Sequence, residues 1–253
     1  MNELLIPVPK TSLEKLLKPV NRLTESCVLK SVSDKLYTIC SSDDNSVILI
    51  AQTGLPVEIK DLKLNLINLK KLLTGLDCLG DDGLFKMIKN QNHIICKSEN
   101  DSNGENTHFK YHLVDDNIIK ESTVTVESIK KIGFDTSFDI PVSKLKQIMS
   151  AYSFTSDVNK IYFYTKDDKV YADIDDKTLD NLDTVSMLIN NSYDGQPIST
   201  PLALKIEVFK NLASSKNPVK VRVTNSGNVK LFIFNIQEDD NTELKYLISA
   251  LVK

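Results

Sequence analysis

Residues 106–113 read NTHFKYHL, and residues 241–248 read NTELKYLI. The two octapeptides lie 135 positions apart and share four identical residues. A stretch that recurs at a long, fixed spacing indicates that a whole structural unit has been duplicated. This pair therefore raises the question of whether the rest of the chain repeats in the same order.

Further matches follow at almost the same spacing. Residues 6–8 (IPV) match residues 140–142 (IPV), and residues 34–37 (DKLY) match residues 168–171 (DKVY), both at a shift of 134. Apolar and basic positions between 67 and 73 match positions between 206 and 212 at a shift of 139. The alternative is coincidence between amphipathic segments. The collinear order of the matches favours two copies of one domain, each of a usual size.

The duplication predicts three parts in the chain. Domain 1 spans residues 1–114, a linker spans 115–135, and domain 2 spans 136–253. The linker has no Pro and little Gly, and its alternation at 122–127 is extended in character. We therefore expect an ordered, extended linker that crosses the surface.

Each copy is predicted to have the order strand, helix, strands, helix, strands, which makes an α+β fold of two sheet-rich domains with two helices each. Thr11 and Glu14 have the spacing of a capping box and predict the start of the first helix. A strand is expected at residues 56–59, and the second helices are expected at residues 66–76 and 204–214.

Positive charge is concentrated on the four predicted helices. Segments 10–22, 65–77, 141–155 and 203–216 contain eleven Lys or Arg and three Asp or Glu. The net charge of the chain is −3, so the remainder carries −11. One basic helix is adequately explained by solubility, whereas four favour a surface that faces a polyanion. The candidate residues of that polyanion-binding surface are Lys10, Lys15, Lys18, Arg22, Lys70, Lys71, Lys144, Lys146, Lys210 and Lys216.

Other classes of protein find little support. There is no apolar run long enough for a transmembrane helix, and no phosphate loop or nucleophile motif. The four cysteines show no paired spacing and are expected to be reduced, mostly buried thiols of an intracellular protein. No cofactor, metal or catalysis is expected. Asp173, Asp175 and Asp176 suggest a two-metal nuclease, and His108 with His112 a zinc site, but a solvated hairpin and strand-surface histidines explain them better.

The sequence resembles the two-domain, trimeric sliding clamps of DNA replication, which include PCNA and the clamps of T-even phages. DIPVSKLKQIM at 139–149, followed by NKIYFYTKDDKVYADI at 159–174, is similar to the start of a clamp's second domain. SYDG at 192–195 resembles a turn in T-even clamps, and LKYLISALVK at 244–253 resembles a clamp's last strand and tail. The resemblance covers both halves and leans towards a phage origin, which implies the cytoplasm of the host cell.

The resemblance implies a homotrimer with pseudo-sixfold symmetry, closed by head-to-tail contacts between edge strands. The strand at 107–114 would pair with residues 184–190 of the next subunit, while NTELKYLI would meet residues 46–51 of its own chain. The implied subunit-interface residues are Phe109, Tyr111, Leu113, Val185, Met187 and Ile189.

The implied partners are double-stranded DNA, a DNA polymerase and a clamp loader. The basic helices would line the hole and contact phosphates without reading bases. Partner peptides would dock in an apolar pocket beneath the linker, although its residues are equally explained as packing of linker and tail on the core. The pocket residues are Ile118, Ile119, Val124, Val126, Leu251 and Val252.

Two other functions remain open at this point. A monomeric DNA-binding processivity factor would have the same double fold without a ring, and it would need a stronger basic face than a net charge of −3 offers. A nuclease would use the Asp cluster and would cleave DNA in the presence of a divalent metal.

Overall fold

The computed structural model describes residues 3–79, 84–99, 106–155, 157–176, 182–225 and 230–251. The strands of the first half are β1 (Leu4–Ile6), β2 (Ser26–Val32), β3 (Lys35–Ser41), β4 (Val47–Gly54), β5 (Lys63–Ile67), β6 (Leu84–Lys89), β7 (His93–Glu99) and β8 (Asn106–His112). Those of the second half are β9 (Thr136–Ile140), β10 (Lys160–Lys166), β11 (Lys169–Ile174), β12 (Val185–Asn190), β13 (Asp194–Gly195), β14 (Leu202–Lys205), β15 (Val219–Thr224), β16 (Leu231–Gln237) and β17 (Thr242–Ser249).

The helices are shorter and fewer than the strands. They are α1 (Lys10–Asn21), α2 (Leu69–Asp77), α3 (Val126–Lys130), α4 (Val142–Phe154) and α5 (Phe209–Leu212), with a 3-10 turn at Ile206–Val208 immediately before α5. None of the helices in the described part of the chain is long and apolar enough to cross a membrane.

The chain forms two compact units. Unit 1 comprises Met1–Asp43, Leu49–Val124 and Asp239–Leu244, and unit 2 comprises Asp44–Ile48, Thr125–Glu238 and Lys245–Lys253. Each unit thus takes a short segment from the other half of the sequence. The predicted linker is divided between the units after Val124.

Unit 1 contains two antiparallel groups of strands and a pair of packed helices. One sheet has the order β1-β6-β7-β8, and β4, β3, β2 and β5 are neighbours in a second. Helices α1 and α2 pack on each other. Their apolar stripes are buried because each presents Leu or Val at helical spacing to the core. The stripes consist of Leu13, Leu16, Leu17 and Val20 in α1 and of Leu69, Leu72, Leu73 and Leu76 in α2.

The segment 239–244 lies beside the end of β4 in unit 1. The backbone N–H of Gly54 donates to the carbonyl of Asn241 at 3.0 Å, and the buried hydroxyls of Thr53 and Thr242 are 3.0 Å apart. Gln52 donates to Glu243 at 2.5 Å. The start of NTELKYLI therefore lies next to residues 52–54 at the end of β4, directly after the residues 46–51 that the resemblance implies.

Unit 2 repeats the plan with different core residues. Its sheets have the orders β12-β11-β10-β14 and β13-β9-β15-β16-β17, and α4 packs against α5. Phe163 lies among other buried rings, with centroid separations of 5.9 Å to Phe209, 5.8 Å to Phe232 and 6.1 Å to Phe138. Aromatic side chains thus fill the space that leucines fill in unit 1.

The matching stretches occupy matching places. NTHFKYHL and NTELKYLI form most of β8 and β17, the last strands of the first and second halves. DKLY and DKVY each begin at the second residue of a tight hairpin turn, between β2 and β3 and between β10 and β11. Positive φ angles occur in both turns, 54° at Ser33 and 49° at the equivalent Asp167, so the two hairpins use the left-handed region at the same position, and Asp168 adds a second positive φ of 56°.

Several local predictions are wrong. No strand forms at 56–59, because Pro56 has no N–H to donate. The next strand after β4 is β5, which begins at Lys63. Helix α2 begins at Leu69 instead of 66, since Asn68 adopts a left-handed φ of 54° and its side chain caps the N–H of Lys71. Thr11 is not an N-cap either, because Pro9 takes that position without a side-chain hydrogen bond.

The linker and the last helix also differ from expectation. The linker is not extended throughout: α3 forms within it, capped by reciprocal hydrogen bonds between Thr125 and Ser128. In place of a helix at 204–214 there is β14, a 3-10 turn and the four-residue α5. Residues 225–228 (NSGN) are of types that form hairpin turns, but apart from Asn225 they lie outside the described residues.

Candidate nucleic-acid interface

Helix α1 presents basic residues on the face opposite its buried stripe. Pro19 lies inside the helix, which nevertheless continues to Asn21, and Arg22 keeps helical backbone angles as its C-cap. Lys18 and Arg22 are exposed and Lys15 is half-buried. The predicted alignment of these three residues on one face is therefore present.

The lysines of α1 are ion-paired. Glu14 lies 3.7 Å from Lys10 and 2.7 Å from Lys18, one turn away in each direction. Lys15 donates to Oδ2 of Asp239 at 2.6 Å. Partial burial raises the pKa of Asp239, but the hydrogen bonds from Lys15 and from two backbone N–H groups outweigh it and leave the pKa below its ordinary value. Much of the positive charge of α1 is thus balanced locally.

Helix α2 carries two exposed lysines, Lys70 and Lys71. Within the described residues, neither has a carboxylate within 4.0 Å. Helix α2 begins directly after Asn68, which adopts the αL conformation. The two lysine side chains project from the face of the helix opposite the buried leucines.

Helix α4 has no acidic residue in its first turn. Lys144 donates to the neutral amide of Gln147 at 2.9 Å, and Lys146 is exposed. In the part of the chain that the structure describes, neither has a carboxylate partner. Leu145, Ile148 and Ala151 bury the opposite face.

The region of α5 provides two more of the predicted lysines. Lys210 lies 3.4 Å from Glu207, and its ammonium is 5.4 Å from the centroid of the Tyr152 ring. Lys216 follows the helix and is exposed. Because the Lys210 pair is exposed, water and salt screen it and little charge is lost.

The candidate subunit-interface residues lie on two edge strands, except Leu113, which directly follows β8. β8 is at one edge of its sheet in unit 1, and β12 is at one edge of its sheet in unit 2. Tyr111 is buried and donates to the carbonyl of Ile67, and the Phe109 ring lies close to Gly75 of α2. Leu113, Val185 and Met187 are partly exposed, and Ile189 is buried. The side chains of Phe109, Tyr111 and Ile189 pack within their own units. Pairing along these edges would therefore use main-chain N–H and C=O groups more than these side chains.

The candidate peptide-pocket residues are spread over the linker and the C-terminus. Ile118 is 63% exposed, the largest value for an isoleucine in the described chain. Ile119, Val124 and Val126 are partly exposed, and Leu251 is held by a backbone hydrogen bond to Ala203 at 2.8 Å. Val252 lies outside the described residues.

Ion pairs tie the first part of the linker to unit 1. Glu121 contacts both Lys30 and Lys63, and Asp116 accepts from Asn65 at 2.6 Å and lies 3.2 Å from Lys63. Hydrogen bonds from Lys30 and Lys63 lower the pKa of Glu121, and those from Asn65 and Lys63 lower the pKa of Asp116. The turn that exposes Ile118 is thus anchored on both sides.

The aspartates that could suggest a metal site are held by neighbouring side chains. Asp173 accepts hydrogen bonds from Ser186 at 2.7 Å and from Tyr164 at 3.2 Å, and Asp176 is paired with Lys160 at 3.0 Å. Among the described residues, no group of three His, Cys, Asp or Glu side chains is placed to hold a metal ion.

Most of the cysteines are buried, as the sequence predicts. Cys27, Cys40 and Cys96 are buried free thiols, and Cys78 is exposed. Burial raises the pKa of Cys27 and of Cys96 to about 12, and it also raises that of Cys40. The three buried thiols are therefore protonated and unreactive at neutral pH.

Sequence reasoning missed the acidic partners of the basic helices. The position of Glu14, four residues from both Lys10 and Lys18, signals an ion pair on one helix face. Asp239 offers no such signal, because 224 residues separate it from Lys15.

Comparison with solved structures identifies a protein of similar fold. No protein-family model matches the sequence, and no curated protein matches it. A solved structure described as the C-terminal region of FEN-1 bound to A. fulgidus PCNA contains a chain with a TM-score of 0.73. The match covers 100% of this chain and 99% of that one at 10% sequence identity. The chain therefore has the two-domain fold of a PCNA-like sliding clamp.

Proposed function

We propose that this chain is the subunit of a homotrimeric sliding clamp that encircles duplex DNA and holds a DNA polymerase on it. The observation that carries the proposal is the fold likeness over the full length, since both copies of the repeated unit are present and in the same order. The proposed role is one of tethering, with no catalytic step.

The lysines of α2 and α4 support DNA as the polyanion. Lys70, Lys71, Lys144 and Lys146 lie on helix faces that point away from the apolar cores, and they have no carboxylate partners among the described residues. Lysine contacts to phosphate are sequence-independent and weaken with salt. Such contacts suit a protein that moves along DNA, because retention then comes from the closed ring.

The edge strands support a ring. β8 and β12 each have one side that no strand of the described chain occupies. A contact between two different edges is heterologous, and a heterologous contact that closes makes a ring. With two copies of the unit in each chain, three chains supply the six copies that the resemblance implies. A clamp loader would then be needed to place the ring on DNA.

The partner peptide is proposed to contact Ile118. The similar PCNA chain is in a complex with the C-terminal region of another protein, FEN-1. Here Ile118 presents an exposed apolar side chain in a turn that two ionic anchors hold in place. A peptide of the polymerase would cover this side chain.

Native mass across a dilution series tests the ring. Light scattering after size exclusion should give three times 28.4 kDa, constant over the upper part of the series. A monomer that persists at high concentration would contradict encirclement and favour the monomeric DNA-binding processivity factor.

A second experiment tests the tethering role. Lys71→Glu combined with Lys144→Glu should reduce loading onto primed circular DNA and processive synthesis, while the far-UV spectrum and the native mass stay unchanged. Normal processivity of this folded variant would contradict the assignment of these lysines to DNA.

A further inference from the structure

We propose that Glu14 and Asp239 are internal counter-charges that weaken the grip of α1 on DNA. This inference rests on the proposed function and names residues that set the strength of the DNA contact. Its basis is the difference between α1, whose lysines meet carboxylates, and α2 and α4, whose lysines do not within the described residues.

The carboxylate of Asp239 is held in place independently of Lys15. Its Oδ1 accepts the backbone N–H groups of Asn241 at 2.9 Å and of Thr242 at 2.7 Å, while Oδ2 accepts from Lys15 at 2.6 Å. Thr242 is itself buried against Thr53. The backbone of the turn therefore holds the Asp239 carboxylate in place, whether or not Lys15 is bound to it. In an ordinary surface pair, two flexible side chains must both be ordered.

Glu14 acts on two lysines at once. Its two oxygens lie 3.7 Å from Lys10 and 2.7 Å from Lys18. The Glu14 side chain is 17% exposed and that of Lys10 only 12%, whereas that of Lys18 is 51% exposed. Lys18 can therefore reach a phosphate, but Glu14 stays beside it and repels that phosphate.

The electrostatic consequence is a smaller contribution of α1 to binding. Each phosphate contact by an unopposed lysine adds about 0.9 to the slope of log affinity against log salt. A lysine paired with a fixed carboxylate contributes less to this slope, because the carboxylate repels the approaching phosphate. Weak contacts on one helix and stronger contacts on another limit total affinity, which keeps a ring free to slide.

Asp239→Asn tests the inference with little change of shape. The asparagine keeps an oxygen that accepts the two backbone N–H groups, but it has no charge to hold Lys15. Binding of a short fluorescent duplex, measured by anisotropy over about 50 to 200 mM salt, should be tighter, and its salt slope should steepen by up to about 0.9 per chain in contact. This is roughly a threefold greater loss of affinity across that range. Glu14→Gln should act in the same direction.

Three controls separate this effect from other causes. Glu58→Gln removes one charge from an exposed residue that has no ion pair in the described structure, and should leave the slope unchanged. In a Lys15→Gln background, Asp239→Asn should change the slope much less, because no lysine is then released to bind phosphate. Thermal unfolding should show that the variants are folded.

The outcomes distinguish this inference from the proposed function. The inference is overturned if Asp239→Asn and Glu14→Gln bind as the unmodified protein does, or if Asp239→Asn acts equally without Lys15. If Lys144→Glu with Lys146→Glu still weakens binding, the DNA interface survives that result. If no lysine variant alters binding either, the proposed function fails as well.

Discussion

Helices α1 and α4 occupy the same place in the two halves of the repeat, yet they have different electrostatic surroundings. Both bury an apolar stripe, and both are basic. The lysines of α1 meet Glu14 and Asp239, while among the described residues Lys144 of α4 meets only the neutral Gln147. The apolar spacing that fixes each helix has thus survived duplication, whereas the polar partners have diverged. Charge counted along a sequence is a poor guide to charge available for a ligand.

The cores differ in the same way. Unit 1 is filled largely by leucines and contains all four cysteines, whereas unit 2 contains a cluster of phenylalanine rings. Only the total volume and the apolar pattern need to be preserved for a domain to fold. One repeat therefore tolerates two quite different sets of core side chains.

The largest expected effect is on the core of unit 2. Phe163→Ala removes a fully buried ring that contacts Phe138, Phe209 and Phe232. The free energy of unfolding should fall by about 3 to 5 kcal/mol, because a cavity remains and the ring contacts are lost. Urea unfolding monitored by circular dichroism measures the change.

The same substitution at an exposed ring is the control. Phe154 is 63% exposed on α4, so Phe154→Ala should change the free energy of unfolding by less than about 0.5 kcal/mol. Equal losses for Phe154→Ala and Phe163→Ala would mean that the aromatic cluster does not support unit 2. Leu16→Ala, which should cost about 2 to 5 kcal/mol, gives the corresponding value for unit 1.

A smaller effect is expected on DNA affinity, and it tests the contrast between α1 and α4 directly. Lys144→Glu with Lys146→Glu reverses two lysines without carboxylate partners in the described chain, and should weaken duplex binding at low salt by about tenfold or more. Lys10→Glu with Lys18→Glu changes the chain's net charge equally. It should weaken binding only about threefold, since Glu14 already opposes both lysines.

Anisotropy titrations of both double variants at matched salt decide between the helices. Equal losses would show that local pairing does not matter and that net charge alone sets affinity. A larger loss for the α1 variant would reverse the comparison.

Local pattern accounts for the parts of this fold that could be predicted from sequence. The repeat and the apolar stripes of α1, α2 and α4 follow from residue spacing. The errors arose where one backbone conformation overrides the pattern. Leu66 and Ile67 extend the apolar pattern of α2 towards the N-terminus, but left-handed Asn68 separates β5 from α2. A single-residue φ angle of this kind has no periodicity to reveal it.

The site was less predictable than the fold, because it depends on contacts between distant residues. The exposure of the helix lysines follows from helix geometry. The Lys15–Asp239 pair instead requires the turn between β16 and β17 to lie beside α1. The same holds for the anchor that joins Lys30 and Lys63 to Glu121, where the partners are 91 and 58 positions apart. Sequence alone places such charges on strands and loops without saying which ones meet.

The smallest expected effect concerns that anchor. Lys30→Met should raise the pKa of Glu121 towards its ordinary value of 4.5, because one of its two lysine partners is lost. Stability should fall by less than about 1 kcal/mol, as both side chains are more than a third exposed and water screens them. A carboxyl NMR titration of Glu121 measures the first change and urea unfolding the second.

The pH dependence of the anchor follows from the sign of these shifts. Glu121 and Asp116 have pKa values lowered by folding, so their contribution is complete above the ordinary values of 4.5 and 3.8 and is lost as pH falls through the lower folded values. Hydrogen exchange of residues 114–121, corrected for intrinsic rate, should therefore be constant from neutral pH down to about 5 and rise only below the ordinary values. Glu127→Gln, an exposed acid of α3, is the matched control and should not alter it. Exchange that rises already near pH 6 would mean that a group other than these two carboxylates holds the start of the linker.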